Sequence, residues 1–192
     1  FKKSVDKLNI LPESDKTRKG NLGEITLIEY LKESRGFHPI IHKLHYNPNF
    51  NQSMKGDDVL LFNTDKLEEE VIYGECKYRG IPSKEAIEEI INNLEGTKRY
   101  PTSIPFVANC LEEKGEKELA KQVMDVHLKI MDGKIPLTNV GFLISTHTTS
   151  SQVKKHLSTN NPRLVMISLG IDNPQHIVNE VYLRAEAILK SK

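Results

Sequence analysis

Cysteine is scarce in this chain: Cys76 and Cys110 are the only two among 192 residues. They fit neither a disulfide framework nor a CxxC metal site, so crosslinks are not expected to hold the fold and a reducing cytoplasm is the default compartment. Long apolar runs are missing too. No stretch approaches the roughly 20 residues a membrane helix needs, and the N-terminus has no signal-peptide pattern, so no membrane partner is expected. The lack of a glycine-rich phosphate loop excludes nucleotide hydrolysis by a P-loop route. His38, His42 and His45 are spaced irregularly, with no cysteine or carboxylate pattern to suggest zinc. Excess charge of one sign is absent as well. The formal net charge is +1, whereas a protein that held nucleic acid by charge alone would be more basic.

What is present reads as one globular domain over residues 1–192, long enough to bury a continuous core. The chain begins with Phe1 rather than Met, so further residues are expected upstream. Its first twenty residues, FKKSVDKLNILPESDKTRKG, carry six Lys/Arg against three acids. That excess is either a solvated basic arm or a phosphate-binding one.

Periodicity orders the elements. NLGEITLIEYLKESRG after Gly20 repeats Ile25, Leu27, Ile28 and Leu31 at helical spacing, and Gly36 stops it. PIIHKLHY (39–46) alternates as a strand would, and NPNFNQS reads as a loop. DDVLLF and EVIYGECKYRG read as two strands joined by a turn through NTDKLEE. SKEAIEEIINNLEG has a serine cap and an apolar stripe at Ile87, Ile90, Ile91 and Leu94. A long helical region is expected over about 104–130, then strand VGFLIST, helix SSQVKKHL, strand RLVMISLGI and a closing helix that begins near Pro174. Helix, three strands, helices, strand, helix, strand, helix implies an α/β fold with a mixed central sheet flanked by helices.

The charged residues that interrupt these strands carry the chemistry. In KGDDVLLFNTDKLEEEVIYGECKYRG (55–80), acids stand at the mouth of one apolar strand, and Glu75 and Lys77 lie inside the next. Side chains two apart on a strand share a face, about 6.5–7 Å apart at the backbone. Glu75 and Lys77 are therefore neighbours, with Gly74, Cys76 and Tyr78 facing the other way or framing them. A hairpin would bring Asp58 close to Glu75. Two convergent carboxylates suit a hard divalent cation, and an adjacent ammonium suits a phosphate oxygen or an attacking water. The bland alternative is a salt bridge on a half-exposed strand. An E-x-K triplet alone means little, since Glu112 to Lys114 forms a second one in a helical stretch.

Gly56-Asp57-Asp58-Val59-Leu60-Leu61 followed by Tyr73-Gly74-Glu75-Cys76-Lys77 resembles the signature of the PD-(D/E)xK nuclease superfamily, with G-x-D in place of the proline form. Together with K-G-N-L-G-E on the first helix, the set is similar to the nuclease subunit of the Hachiman anti-phage defence system, which works with a helicase partner. The resemblance implies a restriction-endonuclease-like αβββαβ core and a deoxyribonuclease without strong sequence specificity. It makes Asp58 and Glu75 ligands of Mg²⁺ or Mn²⁺, aided by the carbonyl of Cys76. Lys77 would orient or activate water, and Glu24 would join through a water. The implied reaction is in-line hydrolysis of a DNA phosphodiester that leaves a 5′ phosphate. Asp57 competes with Asp58 for the ligand role, its other reading being a turn acid. Glu24 reads equally as an acid of a first helical turn, and His42 is a candidate neighbour of Glu24.

For nucleic-acid contact the candidates are Tyr78 and Arg79 beside the site and Lys98 and Arg99, next to Tyr100, at the end of the following helix. Two other readings stay open: a restriction- or repair-type nuclease of the same superfamily, and a catalytically silent nuclease fold that binds DNA or a helicase.

Overall fold

Strand β2 (Val71–Tyr78) is the organising element, because every one of its residues except Lys77 is buried. The computed structural model describes residues 11–46, 49, 57–95 and 101–191. Within them β2 pairs antiparallel with β1 (Val59–Phe62) and parallel with β3 (Leu137–Ser145). Strand β3 pairs parallel with β4 (Leu164–Gly170), so the mixed four-stranded sheet runs in the order β1-β2-β3-β4. Six α-helices accompany it among the described residues: α1 (Asp15–Arg35), α2 (Lys84–Glu95), α3 (Ser103–Glu113), α4 (Lys117–Met131), α5 (Thr149–His156) and α6 (Pro174–Ser191). The expected α/β class is observed. No described helix is long and apolar enough to cross a membrane.

Alternation along the strands sorts the core into layers. Val59 and Leu61, Ile72, Cys76 and Tyr78, and Val140, Phe142 and Ile144 share the face covered by Leu27 and Leu31 of α1 and Val178 of α6. The opposite face carries Tyr73 and Leu143 against Ile87, Ile90 and Leu94 of α2 and Val153 of α5. A third cluster joins Phe62 and Val71 to α3 and α4 through Ile104, Leu111, Val123 and Ile130.

Three expectations are corrected. PIIHKLHY is not a strand: only His38 forms a bridge, exchanging backbone hydrogen bonds of 2.9 Å with Phe62 in both directions. Pro39 follows directly and has no N–H to continue a ladder, and the chain turns instead into a short 3₁₀ helix at Lys43–Tyr46. The helical region expected over about 104–130 is two helices, α3 and α4. Between them Gly115 adopts a left-handed conformation (φ 85°) that reverses the chain. The first helix begins at Asp15, well before Gly20, and Ile25 is 45% exposed. Its buried stripe is Gly23, Leu27 and Leu31 at intervals of four. Gly36 ends α1 as expected, with φ 70° and its N–H on the Lys32 carbonyl.

Gly23 sets how closely α1 approaches the sheet, since a Cβ there would stand 2.6 Å from Cys76 Sγ. We expect Gly23→Ala to destabilise the protein by about 1–3 kcal/mol through overpacking, despite alanine's better helix propensity. Adding Cys76→Ala should return most of that loss in urea unfolding. A Gly23→Ala protein as stable as the parent would contradict this packing.

Candidate active site

The β1–β2 register pairs Val59 with Gly74, so one step outward Asp58 stands opposite Glu75. Antiparallel partners point to the same face, and Lys77 shares that face with Glu75. Asp58 is fixed by the backbone: its Oδ2 accepts the Cys76 N–H at 3.1 Å. Glu75 is 7% exposed, and its Oε1 receives Lys77 Nζ at 2.7 Å and Asn93 Nδ2 at 2.7 Å. Lys77 also reaches Glu89 Oε1 at 3.1 Å, while the second oxygen of Glu89 takes Arg79 at 3.0 Å. Glu89 and Asn93 are one turn apart on α2, beside its apolar stripe. Sequence reasoning missed both. The only trace they leave is a polar i, i+4 pair on the helix that follows the charged strand.

Glu24 reaches the cluster from α1. It lies in the middle of that helix, nine residues after its start, so a dipole preference for acids in a first turn does not account for it. It is 7% exposed, and Lys43 Nζ lies 3.8 Å from its Oε2. Sequence reasoning missed Lys43 as well; it also donates to the Asp57 carbonyl at 2.8 Å. A cleft of about 160 Å³ opens here, with Glu24, His42, Lys43, Asp57, Asp58 and Phe106 in its walls. His42 and Glu24 thus line one cavity.

Asp57 and Asp58 differ in their partners. Asp57 Oδ2 accepts the Ser103 N–H at 2.8 Å and Asp57 Oδ1 the Thr102 hydroxyl at 3.4 Å, while the Asp57 N–H donates to Ser103 Oγ at 3.1 Å. Asp57 therefore caps α3 from outside that helix and leaves Asp58 to face Glu75.

Tyr78 is corrected. Its parity on β2 turns it into the α1–α6 core, where it is 6% exposed and its hydroxyl donates to the Pro174 carbonyl at 2.6 Å. It cannot stack on a base. The Cys76 thiol likewise points away, toward Gly23, so that residue offers the site only its main chain. Arg79 stays accessible, with its side chain 42% exposed. Lys98 and Arg99 lie outside the described residues, as does Gly56.

Comparison with known proteins identifies the family of this chain. The family model described as HamA matches residues 1–185, a span that contains every site residue named above. The chain belongs to the HamA family. It is 43% identical over 189 residues to the Hachiman protein HamA of Bacillus cereus, a match that covers 98% of this chain and 68% of that protein.

The electrostatics of this HamA-family site are those of buried carboxylates set close together. Burial, then the nearby charges of Asp58 and Glu75, raises Glu24 from 4.5 to about 7, with Lys43 opposing. Burial and the Glu75 charge likewise raise Asp58 from 3.8 to about 6, against the Cys76 N–H and the two lysines. Partial burial pulls the Lys77 ammonium down, but its bonds to Glu75 and Glu89 outweigh that and hold it above the usual lysine range. Lys77 is therefore a standing cation. Among the described residues no three His, Cys, Asp or Glu side chains gather closely enough to form a metal cage. The donors present are hard oxygens in small number, which suits an ion that keeps several waters and takes substrate oxygens, as Mg²⁺ does.

Raised carboxylate pKa values make stability depend on pH in a definite direction. The folded state holds protons on Glu24 and Asp58 that the unfolded chain has released, so stability falls as pH rises through about 4 to 7. Each tenfold gain in proton affinity on folding is worth about 1.4 kcal/mol, so the two groups together cost on the order of a few kcal/mol at neutral pH. In EDTA the protein should melt at higher temperature at pH 5 than at pH 8, and Mg²⁺ or Mn²⁺ should raise the melting temperature more at pH 8. A melting temperature in EDTA that climbs from pH 5 to pH 8 would contradict this.

Proposed function

We propose that this chain is a metal-dependent deoxyribonuclease of the PD-(D/E)xK kind that works in an anti-phage defence complex. The observation that carries the reading is the meeting of Asp58, Glu75 and Glu24 in one buried cluster with Lys77 two residues beyond Glu75. A structural salt bridge needs one acid for one lysine. It does not account for three desolvated carboxylates, two of which are raised well above the ordinary carboxylate range by burial first and by their acidic neighbours second.

Asp58 and Glu75 would hold the cation, joined by the Cys76 carbonyl, and Glu24 would join through a water. Mg²⁺ or Mn²⁺ bound there supplies an activated water and charge neutralisation for phosphodiester hydrolysis. Asn93 holds Glu75 Oε1, which leaves the other oxygen of that carboxylate for a ligand. Lys77, protonated and pinned between Glu75 and Glu89, offers positive charge to the non-bridging phosphate oxygens as they gain negative charge. Arg79 stands beside it for a neighbouring phosphate of the strand. The rigid β1–β2 pair keeps these groups in register while the DNA is exchanged.

Membership of the HamA family and the likeness to a Hachiman protein support the defence role; a helicase subunit as the working partner is what the sequence resemblance implies. The net charge of +1 gives the chain little nonspecific hold on DNA, so the isolated protein should be a weak nuclease until its partner presents substrate.

Cleavage of plasmid and linear DNA with Mg²⁺ or Mn²⁺, against EDTA and with the helicase added in one arm, tests this. Wild type should cut only with metal. Lys77→Ala and Glu75→Gln should each lose at least about a hundredfold in rate, the order expected when a transition-state charge partner is removed. Absence of cleavage in every arm would leave a silent DNA- or helicase-binding fold. Full activity in Lys77→Ala would remove this lysine from the chemistry.

A further inference from the structure

Among the described residues, Lys43 is the one charged residue of the cluster to which the roles above assign nothing. It comes from the 3₁₀ turn rather than from the sheet, and its side chain is 14% exposed. A lysine so far out of water is costly unless its charge is used. Its Nζ gives one hydrogen to the Asp57 carbonyl at 2.8 Å. Glu24 Oε2, at 3.8 Å, attracts it electrostatically but is too far for a hydrogen bond. An ammonium has three hydrogens to donate, and among the described residues no other acceptor takes the remaining two.

Lys43 also lines the cleft shared with Glu24, Asp57 and Asp58. The two lysines thus reach the carboxylates from different elements, Lys43 from the 3₁₀ turn and Lys77 from β2. Lys77, on the α2 side, is shared by two glutamates. Lys43 is tied by a neutral carbonyl and faces one glutamate across a gap. Of the two, it is the freer to bind an anion that enters the cleft.

We propose that Lys43 is a second phosphate-binding residue of this site, donating to an oxygen of a DNA phosphate held at the cleft on the Glu24–Asp58 side. The Asp57 carbonyl aims it, and Asp57 is itself anchored to α3 through Ser103. A tethered ammonium at that point would set the path of the strand into the site as well as add affinity. The inference rests on the nuclease reading but can be tested by binding alone.

The test is a salt titration of a fluorescently labelled duplex oligonucleotide with Ca²⁺ in place of Mg²⁺, so that no cut is needed for a signal. For each phosphate contact removed, the slope of log affinity against log salt should become shallower by about 0.9. Lys43→Met, which keeps the aliphatic stem, should show that change, and Lys43→Arg should keep the wild-type slope. Because Lys43→Met leaves Glu24 without its counter-charge, Glu24→Gln/Lys43→Met is compared with Glu24→Gln alone, and the same difference is expected. A wild-type slope in Lys43→Met, or identical slopes for the double and its Glu24→Gln parent, would reduce Lys43 to a structural counter-ion while leaving the nuclease reading intact. Failure of the wild type to bind the duplex even at the lowest salt, together with absence of cleavage when the helicase is added, would overturn both.

Discussion

Three carboxylates and two lysines share one poorly hydrated corner of this protein, and the burial of those acids is the constraint around which the site is built. Burial above all, with neighbouring negative charge added, leaves Glu24 near 7 and Asp58 near 6, although Lys43 opposes the rise at both and Lys77 at Asp58. Such a cluster opposes folding at neutral pH and must be carried by apolar packing elsewhere. Strand β2 shows how. Ile72, Cys76 and Tyr78 on one face and Tyr73 on the other bind it into two cores, while the same strand presents Glu75 and Lys77.

Polar support arrives from helices on both faces of the sheet. Helix α2 supplies Asn93 to Glu75 and Glu89 to Lys77, one turn apart, so a rotation of that helix would disturb both contacts at once. Helix α1 supplies Glu24, and it can approach closely because Gly23 has no side chain to meet the Cys76 sulfur. Asp57 ties the entry of β1 to the start of α3, which leaves the adjacent Asp58 a fixed backbone from which to face Glu75. Glu89 has a double role: it positions Lys77 and Arg79, and it competes with any phosphate for both of them.

Legibility in the sequence follows the range of the interactions. Glu75 and Lys77 read as neighbours because strand geometry alone puts alternate residues on one face. Asp58 follows because a short turn makes an antiparallel partner of the next strand. Tyr78 misleads on the same strand: it adjoins Lys77 in sequence, but parity sends it into the opposite core. Alternation in PIIHKLHY suggests a strand, yet Pro39 allows no ladder beyond the bridge at His38. Lys43, Glu89 and Asn93 leave almost no mark in sequence, since each meets its partner in the site from a separate element rather than along one strand.

By itself the sequence determined the class of fold and the chemical character of the centre. Apolar periodicity dictates which faces are buried, and a charged pair inside a buried strand must have a partner or a ligand. Only the tertiary structure decided which acid faces the site. Asp57 and Asp58 are adjacent and identical in type, and the choice rests on α3 placing Ser103 where it captures the Asp57 carboxylate and on the Cys76 N–H capturing that of Asp58. It also decided that Glu24 and Lys43 belong to the cluster, because long-range electrostatics depend on how far apart groups are in space, and the packing of α1 and the 3₁₀ turn against the sheet sets that distance.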